Sequence, residues 1–431
     1  MDRDVRAQQP VPPPVPAAPA ARPLRIAFFV TYFPKVSEVF LLHQALALLD
    51  RGHDVRFHAL APSGEAVVQP GAERFGPGRA TVGRMPRGAW RRILDLPRLL
   101  ASQSPGAVLA AGNPRRYGRE ATSLRALYRL DATPASVACD VAHAQFGDVA
   151  RQCLLLRERG RLAAPLVVSF RGGDLSSYLA AATRHAYRDV FREAAACLPV
   201  ATRWVRVLES LGCPPGKIRV LPSGVPMERV PRRPPAAQPA PVILSAGRLE
   251  RHKGIHLGLE VIARLRLEFP ALRYEVFGDG PERRRLERQA RMLGIAERVR
   301  WHGAVTHAAL MAALPEAALH LFTTVTSPRG RTEGVPNILK ETQAAGIPAA
   351  AFAHPGTDEV VEDGVTGWLV PEGDVDALAD RARRLLADPP AAAAMGIRAA
   401  ARSRARFDLA RVTDQLETIY RAVEAGHAPA G

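Results

Sequence analysis

The stretch Thr332-Glu-Gly-Val-Pro-Asn-Ile-Leu-Lys-Glu341 reads as the opening of a helix suited to meeting an anion. A helix is predicted over 334–345, with Glu333 where it begins and Gly334-Val335-Pro336-Asn337 forming its first turn. Free backbone N–H groups and the helix dipole favour negative charge at such a point. Glu333 and Glu341 are eight residues apart. At about 3.6 residues per turn that is two turns, which predicts both carboxylates on one helix face. The first can reach a hydroxyl of a bound ligand and the second can take a diol. Taken alone, the same residues also describe a capped surface helix with two solvated glutamates.

Two further glycine loops precede it, each after a predicted strand. Ser245-Ala-Gly-Arg-Leu-Glu-Arg-His-Lys-Gly254 offers Gly247 for close backbone approach, and Arg248 and Lys253 five residues apart. An Arg fork and a mobile Lys point charge are the groups that neutralise a diphosphate. Phe277-Gly-Asp-Gly-Pro-Glu282 places Gly278 and Gly280 ahead of a helix, with Pro281 in its first turn. The third glycine of the dinucleotide fingerprint is missing, so a helix-capping turn explains this loop equally well.

The surrounding pattern alternates short apolar runs with helical periodicity, which predicts an α/β fold of doubly wound parallel sheets. Strands are predicted at Leu24–Val30, Val55–Leu60, Val137–Phe146, Leu166–Phe170 and Ile218–Leu221, separated by helices at 36–49, 148–160, 183–196 and 202–211. The Pro-rich run 230–241 reads as a linker. The pattern then restarts, with strands at Val242–Ala246, Tyr274–Phe277, Val299–Trp301, Ala318–Phe322 and Ile347–Phe352. Helices are predicted at 255–268, 282–293 and 409–424. The expected division is a Pro/Ala tail over 1–23, a first domain over 24–229, a second over 242–407, a C-terminal helix over 408–424 and a tail over 425–431. Two such domains imply a cleft with its ligand beyond the carboxyl ends of the strands.

Charge is unevenly shared. Residues 1–235 hold 34 Lys and Arg against 18 Asp and Glu, while 236–431 hold 25 against 24. A compositional taste for Arg would act on both halves alike. The asymmetry points to an anionic partner for the first half, and its densest part is 79–129, with 11 Arg against Asp95 and Glu120. A solvated loop region would carry the same charges. Cys139, Cys153, Cys197 and Cys213 form no C-x-x-C pair, so neither a disulfide framework nor a zinc site is expected and a reducing cytoplasm fits. No apolar run approaches the roughly 18 residues of a membrane-spanning helix. The N-terminus has acids near its start and prolines where a signal peptide has its apolar core.

In their order, GRL-x3-KG, FGDGP, EGVPNILKE and AAGIP resemble the donor half of the family-4 retaining glycosyltransferases of the GT-B fold. The segment 354–371 is similar to that family's following loop and strand. Phe33-Pro-Lys-Val-Ser-Glu38, His143-Ala-Gln-Phe-Gly147, Ser169-Phe-Arg-Gly-Gly-Asp174 and 211–225 resemble its exopolysaccharide branch, of the colanic acid and amylovoran type. The resemblance implies two Rossmann-like domains facing across a cleft, with the C-terminal helix returning to the first. It implies that Arg248 and Lys253 hold the donor diphosphate and that Glu333 contacts the donor sugar. The backbone from Gly334 through Val335 and Pro336 to Asn337 would hold sugar and phosphate oxygens, Gly247, Gly278 and Gly280 would line the donor site, and Glu341 would take the ribose hydroxyls.

Acceptor-side candidates are Ser37, Glu38, His143, Arg171 and Asp174. Many members have histidine at the position of Arg171, and an arginine cannot serve as a base near neutral pH. His143 suits a site residue or a satisfied core histidine. No metal and no cofactor are expected beyond a UDP- or GDP-linked sugar as co-substrate. The expected acceptor is a glycan or lipid-linked one at the inner face of the plasma membrane, reached from the cytoplasm by a basic first domain on an anionic membrane surface; nucleic acid is not expected. A soluble natural-product acceptor and a non-catalytic binding protein of the same shape are the alternatives.

Overall fold

The computed structural model describes residues 22–35, 38–64, 69–86, 88–113, 119–131, 136–175, 187–232, 241–327, 334–354 and 356–426. They build two six-stranded, wholly parallel sheets. The first contains β1 (Arg25–Phe33), β2 (Asp54–Pro62), β3 (Ala80–Val82), β4 (Val141–Ala144), β5 (Leu166–Phe170) and β6 (Ala194–Pro199), in the order β3-β2-β1-β4-β5-β6. The second contains β7 (Val242–Ala246), β8 (Arg273–Phe277), β9 (Val299–Gly303), β10 (Leu319–Phe322), β11 (Ala349–Phe352) and β12 (Gly367–Val370), in the order β12-β11-β10-β7-β8-β9. Numbered from its own first strand, each sheet has the doubly wound order 3-2-1-4-5-6. The apolar runs behave as strands buried on both faces should: every residue of β4, β5, β10 and β11 is buried.

The first domain departs from sequence expectation at its sixth strand. The run Ala194-Ala-Ala-Cys-Leu-Pro199 has good helix formers at its start, yet the helix Arg188–Glu193 stops and the chain extends as β6 against β5. Burial in the sheet overrides alanine's helix preference. Ile218–Leu221, expected as a strand, runs beside β6 with the Arg219 and Leu221 amides donating to the Cys197 and Pro199 carbonyls, each at 3.0 Å, but bridges only at Ile218. In the arginine-rich region after β2, the short helices Ala89–Leu94, Leu96–Ser102, Pro105–Ala111 and Arg125–Asp131 gather around Leu99, Leu127, Tyr128 and Leu155.

The chain passes between the sheets twice, and the passages meet. The Val225 amide donates to the Phe407 carbonyl at 2.8 Å, and the Leu409 amide donates to the Val225 carbonyl at 2.9 Å. Helix Pro389–Phe407 packs on the second domain against helix Asn337–Ala344. Asp408 then caps helix Leu409–Ala425, whose Val412, Leu416 and Tyr420 enter the first domain's core. The C-terminal helix therefore returns to the first sheet. Most of the expected linker, 233–240, lies outside the described residues.

Candidate active site

In the second sheet the strand order reverses between β7 and β10, the kind of switch point at which open α/β sheets bind ligands beyond the carboxyl ends of their strands. The loop after β7 lies on the loop after β8, with the Gly247 amide donating to the Phe277 carbonyl at 2.9 Å and the Leu249 amide to the Asp279 carbonyl at 3.0 Å. Gly278, at φ +131°, packs so closely that a Cβ there would lie 1.9 Å from the Gly247 carbonyl oxygen. Gly254 has φ +66°, and a Cβ there would lie 1.8 Å from the Thr323 carbonyl oxygen, at the end of β10. Only glycine suits both the left-handed backbone and this approach. Lys253 sits between these contacts. Its carbonyl accepts from the Thr323 hydroxyl at 3.1 Å, and its aliphatic stem passes over Gly247. Arg248 projects outward, 71% exposed, with Nε donating to Glu250 Oε1 at 3.0 Å. The packing thus collects two cations at the switch point. No group of three potential metal ligands occurs among the described residues.

The helix of the EGVPNILKE stretch begins at Asn337, with extended Pro336 at its N-cap, and runs to Ala344. The predicted helix over 334–345 is thereby shortened, because Pro336 has no amide hydrogen and disfavours a helical residue before it. The helical repeat does not reach back through Val335 and Gly334, so helical spacing does not relate Glu341 to residues before Pro336. Glu333 itself lies outside the described residues, as does Ser37. Glu341 is buried, and its Oε1 lies 2.9 Å from His307 Nε2. Leu339 and Val335 join Ala246, Phe277 and Phe322 in one apolar cluster, which locks this helix to the ends of β7, β8 and β10.

Lys340 was not singled out by sequence, because a lysine in a helix next to a candidate site residue looks solvated. It is fully buried. Its Nζ donates to the Ser223 carbonyl at 2.9 Å and to Asn337 Oδ1 at 3.1 Å, and burial pushes its pKa down to about 7. Ser223 belongs to the first domain, so this amine ties the domains together.

Opposite lies the first sheet's own switch point, between β1 and β4. Arg171, just after β5, folds back over it: Nε donates to the Gln145 carbonyl at 3.0 Å and a terminal nitrogen to Gln145 Oε1 at 2.6 Å. The other terminal nitrogen donates to the Ser223 hydroxyl at 2.9 Å, and the guanidinium lies 4.6 Å from the Phe40 ring centre. Burial lowers its pKa to about 10, which leaves it cationic at neutral pH. Asp174 accepts from the amides of Gly147, Arg171 and Gly172, each at 2.9 Å, although burial raises its pKa to about 6. It shapes the loop that carries Arg171. Glu38 pairs with Lys35 beside a small pocket formed by Phe33, Pro34 and Leu41, and burial raises its pKa.

His143 is fully buried. Its Nδ1 lies 2.6 Å from the Tyr420 hydroxyl and its Nε2 2.8 Å from the Ser169 hydroxyl. Both ring nitrogens are engaged in the core, where they anchor the returning C-terminal helix, so the core-histidine alternative describes the structure.

The two switch points face each other. A Cβ on Gly334 would lie 2.3 Å from the Arg171 carbonyl oxygen, and one on Gly356 would lie 1.9 Å from the Gly334 carbonyl oxygen. Beside this contact, Val39, His43 and Gln69 of the first domain and Thr306, His307 and Met311 of the second line a cavity of about 450 Å³.

Two family models match the chain. "Glycosyltransferase Family 4" matches residues 37–229 and "Glycosyl transferases group 1" matches residues 227–402. The chain is 34% identical over 372 residues to the putative colanic acid biosynthesis glycosyltransferase WcaL of Salmonella typhimurium, an alignment covering 83% of this chain and 89% of the relative. It is 29% identical, with the same coverage of each, to the amylovoran biosynthesis glycosyltransferase AmsK of Erwinia amylovora. Among solved structures, HepE of Anabaena in complex with UDP and glucose aligns with a TM-score of 0.66 at 18% identity, covering 93% of this chain and all of that one. Sucrose-phosphate synthase of Thermosynechococcus elongatus aligns with a TM-score of 0.68 at 18% identity, covering 94% and 100%. These two likenesses concern the fold.

Proposed function

The chain belongs to the family-4, group 1 glycosyltransferases, and from that premise we propose that it moves a sugar, with retention, from a UDP- or GDP-linked donor to a glycan or lipid-linked acceptor in exopolysaccharide biosynthesis. It is a glycosyltransferase. The observation that carries the finer assignment is the seating of Lys253 at the β7/β10 switch point, with its stem over Gly247 and its backbone locked to Thr323. A diphosphate lying over these glycine loops meets Lys253 and the outward Arg248, which offset the charge that grows on the leaving phosphate as the glycosidic bond breaks. The oxygens of the sugar and its phosphate lie toward Gly334–Asn337, and Glu341 takes the ribose diol. Arg171 stays protonated, so the acceptor's proton goes to the leaving phosphate on the same face of the sugar. That is a route to retention without a protein base.

Thermal-shift titration with UDP-, GDP- and ADP-sugars tests the proposal. One of them raises the melting temperature and thereby names the donor, and silence from all three overturns it. Glu341→Ala is expected to weaken binding of that donor about 10- to 100-fold, the worth of a charge-assisted hydrogen bond. Unchanged affinity by calorimetry removes Glu341 from the site.

The printed names of the relatives concern extracellular polysaccharides, and a lipid-linked acceptor would be met at the cytoplasmic membrane face. No helix among the described residues is long and apolar enough to cross a membrane. The first domain nonetheless exposes Trp90, Ile93 and Leu94 at helical spacing, with Leu100 and Leu109 exposed nearby, inside the arginine-dense segment. Apolar side chains interleaved with basic ones suit the interface of an anionic bilayer. Vesicles containing phosphatidylglycerol should bind the protein in a salt-sensitive way, and Arg84→Gln with Arg91→Gln and Trp90→Ala should reduce sedimentation with them several-fold. Equal sedimentation would refute this mapping.

A further inference from the structure

The cavity between the domains carries a histidine that the donor-site assignment does not use. His307 is the first residue of helix His307–Ala313, whose N-cap Thr306 accepts from the Ala309 amide at 3.2 Å. The cap fixes the helix start and aims the imidazole at Glu341, 2.9 Å away. Across the domain boundary, His43 of helix Val39–Asp50 meets the His307 ring edge-on, with ring centres 5.9 Å apart. Arg229 lines the same cavity from the segment joining the domains. Glu341, His43 and Arg229 are thus the titratable and charged groups that face His307, and the carboxylate is the one it bonds.

We propose that His307 is a positioning residue for the donor nucleotide: it holds one oxygen of Glu341 and, when protonated, offsets that carboxylate's charge beside the incoming diphosphate. The inference rests on Glu341 being the ribose ligand. Its physical basis is simple. A bare carboxylate repels a donor carrying two phosphate charges, whereas an imidazolium–carboxylate pair keeps the acceptor oxygens for the diol and removes most of the net charge. The hydrogen bond to Glu341 raises the His307 pKa above its ordinary value. Burial and the neighbouring His307 push His43 down to about 4, so His43 stays neutral while His307 titrates. The proton that comes and goes here is therefore the one on His307. It is bound at low pH and lost as pH rises through the folded-state value of His307, and donor affinity falls with it.

The test is calorimetric binding of UDP-glucose and GDP-mannose between pH 6 and 8.5. Their diphosphate diesters keep a constant charge over that range, so a pH dependence belongs to the protein. The wild-type protein should lose about tenfold in affinity across the range in one step, matching the loss of a charge-assisted contact. His307→Gln keeps a donor to Glu341 but cannot titrate. It should bind with a flat profile near the high-pH wild-type affinity, while His307→Ala should be flat and weaker still. Melting temperatures of both variants near the wild type exclude simple misfolding. Wild-type-like pH dependence in His307→Gln, with Glu341→Ala still weakened, overturns the inference and leaves the donor site standing. Unaltered binding by Glu341→Ala, or no binding of either sugar nucleotide by the wild-type protein, overturns the reading on which the inference rests.

Discussion

Lys253→Ala should lower kcat/KM by about 10²- to 10³-fold with little change in melting temperature, the loss typical of removing one preorganised group from developing charge. The expectation follows from how the amine is held. The Lys253 carbonyl, accepting from the Thr323 hydroxyl at the end of β10, fixes the residue, and its stem lies across Gly247, which leaves it no side chain to push against. Little reorganisation is needed when the diphosphate arrives, so the charge acts mostly on the transition state. Arg248 is differently placed. It is largely exposed and already paired with Glu250, so solvent and that carboxylate dilute its effect, and Arg248→Ala should cost less than Lys253→Ala. Single-turnover transfer with saturating donor separates the effects: Lys253→Ala should lower the rate of the chemical step itself. Transfer at the wild-type rate by Lys253→Ala would remove the lysine from the mechanism.

Gly334→Ala should lower kcat about 10²-fold while leaving the fold intact. The new Cβ would stand 2.3 Å from the Arg171 carbonyl oxygen, well inside the 3.0 Å that real Cβ contacts essentially never breach, and something must move. Gly334 cannot retreat, because Gly356 already packs on its carbonyl. Arg171 cannot easily yield, because its side chain is bonded to Gln145 and Ser223 and its amide to Asp174. The compliant coordinate is the separation of the two domains. An opening of about 1 Å misplaces donor against acceptor, and displacements of that size can cost about 10²-fold. The clash is with backbone, and Val200 of the first domain's core stays at an ordinary 3.9 Å from the new Cβ, so the melting temperature should change little. A variant with normal kcat would show that the Gly334–Arg171 approach is incidental to turnover. A variant that loses its cooperative melt would show that the contact belongs to the fold.

Much of the architecture was legible because parallel strands buried on both faces leave continuous apolar runs, as in Leu166–Phe170 and Val242–Ala246, whose predicted limits are the observed ones. The failures share a cause. Ala194–Pro199 carries local helix preference and is a strand only because β5 lies beside it. His143 reads equally as a site or a core residue until Tyr420, 277 residues away, is seen against it. His307, Lys340 and Ser223 had no signal of their own. Each matters through a partner distant in sequence, and periodicity reports only an element's own faces.

The sequence by itself determined the family, the pair of α/β domains and the glycine loops with their cations, because each rests on residue types within one short segment. The tertiary structure alone decided which of those residues meet. It set the doubly wound strand order that places Lys253 at the switch point, buried Glu341 against His307 and closed Gly334 onto Arg171. The physical reason is that local preferences are fixed by neighbours along the chain. The burial, charge and reach of a site side chain are fixed by groups that only the folded packing brings alongside it.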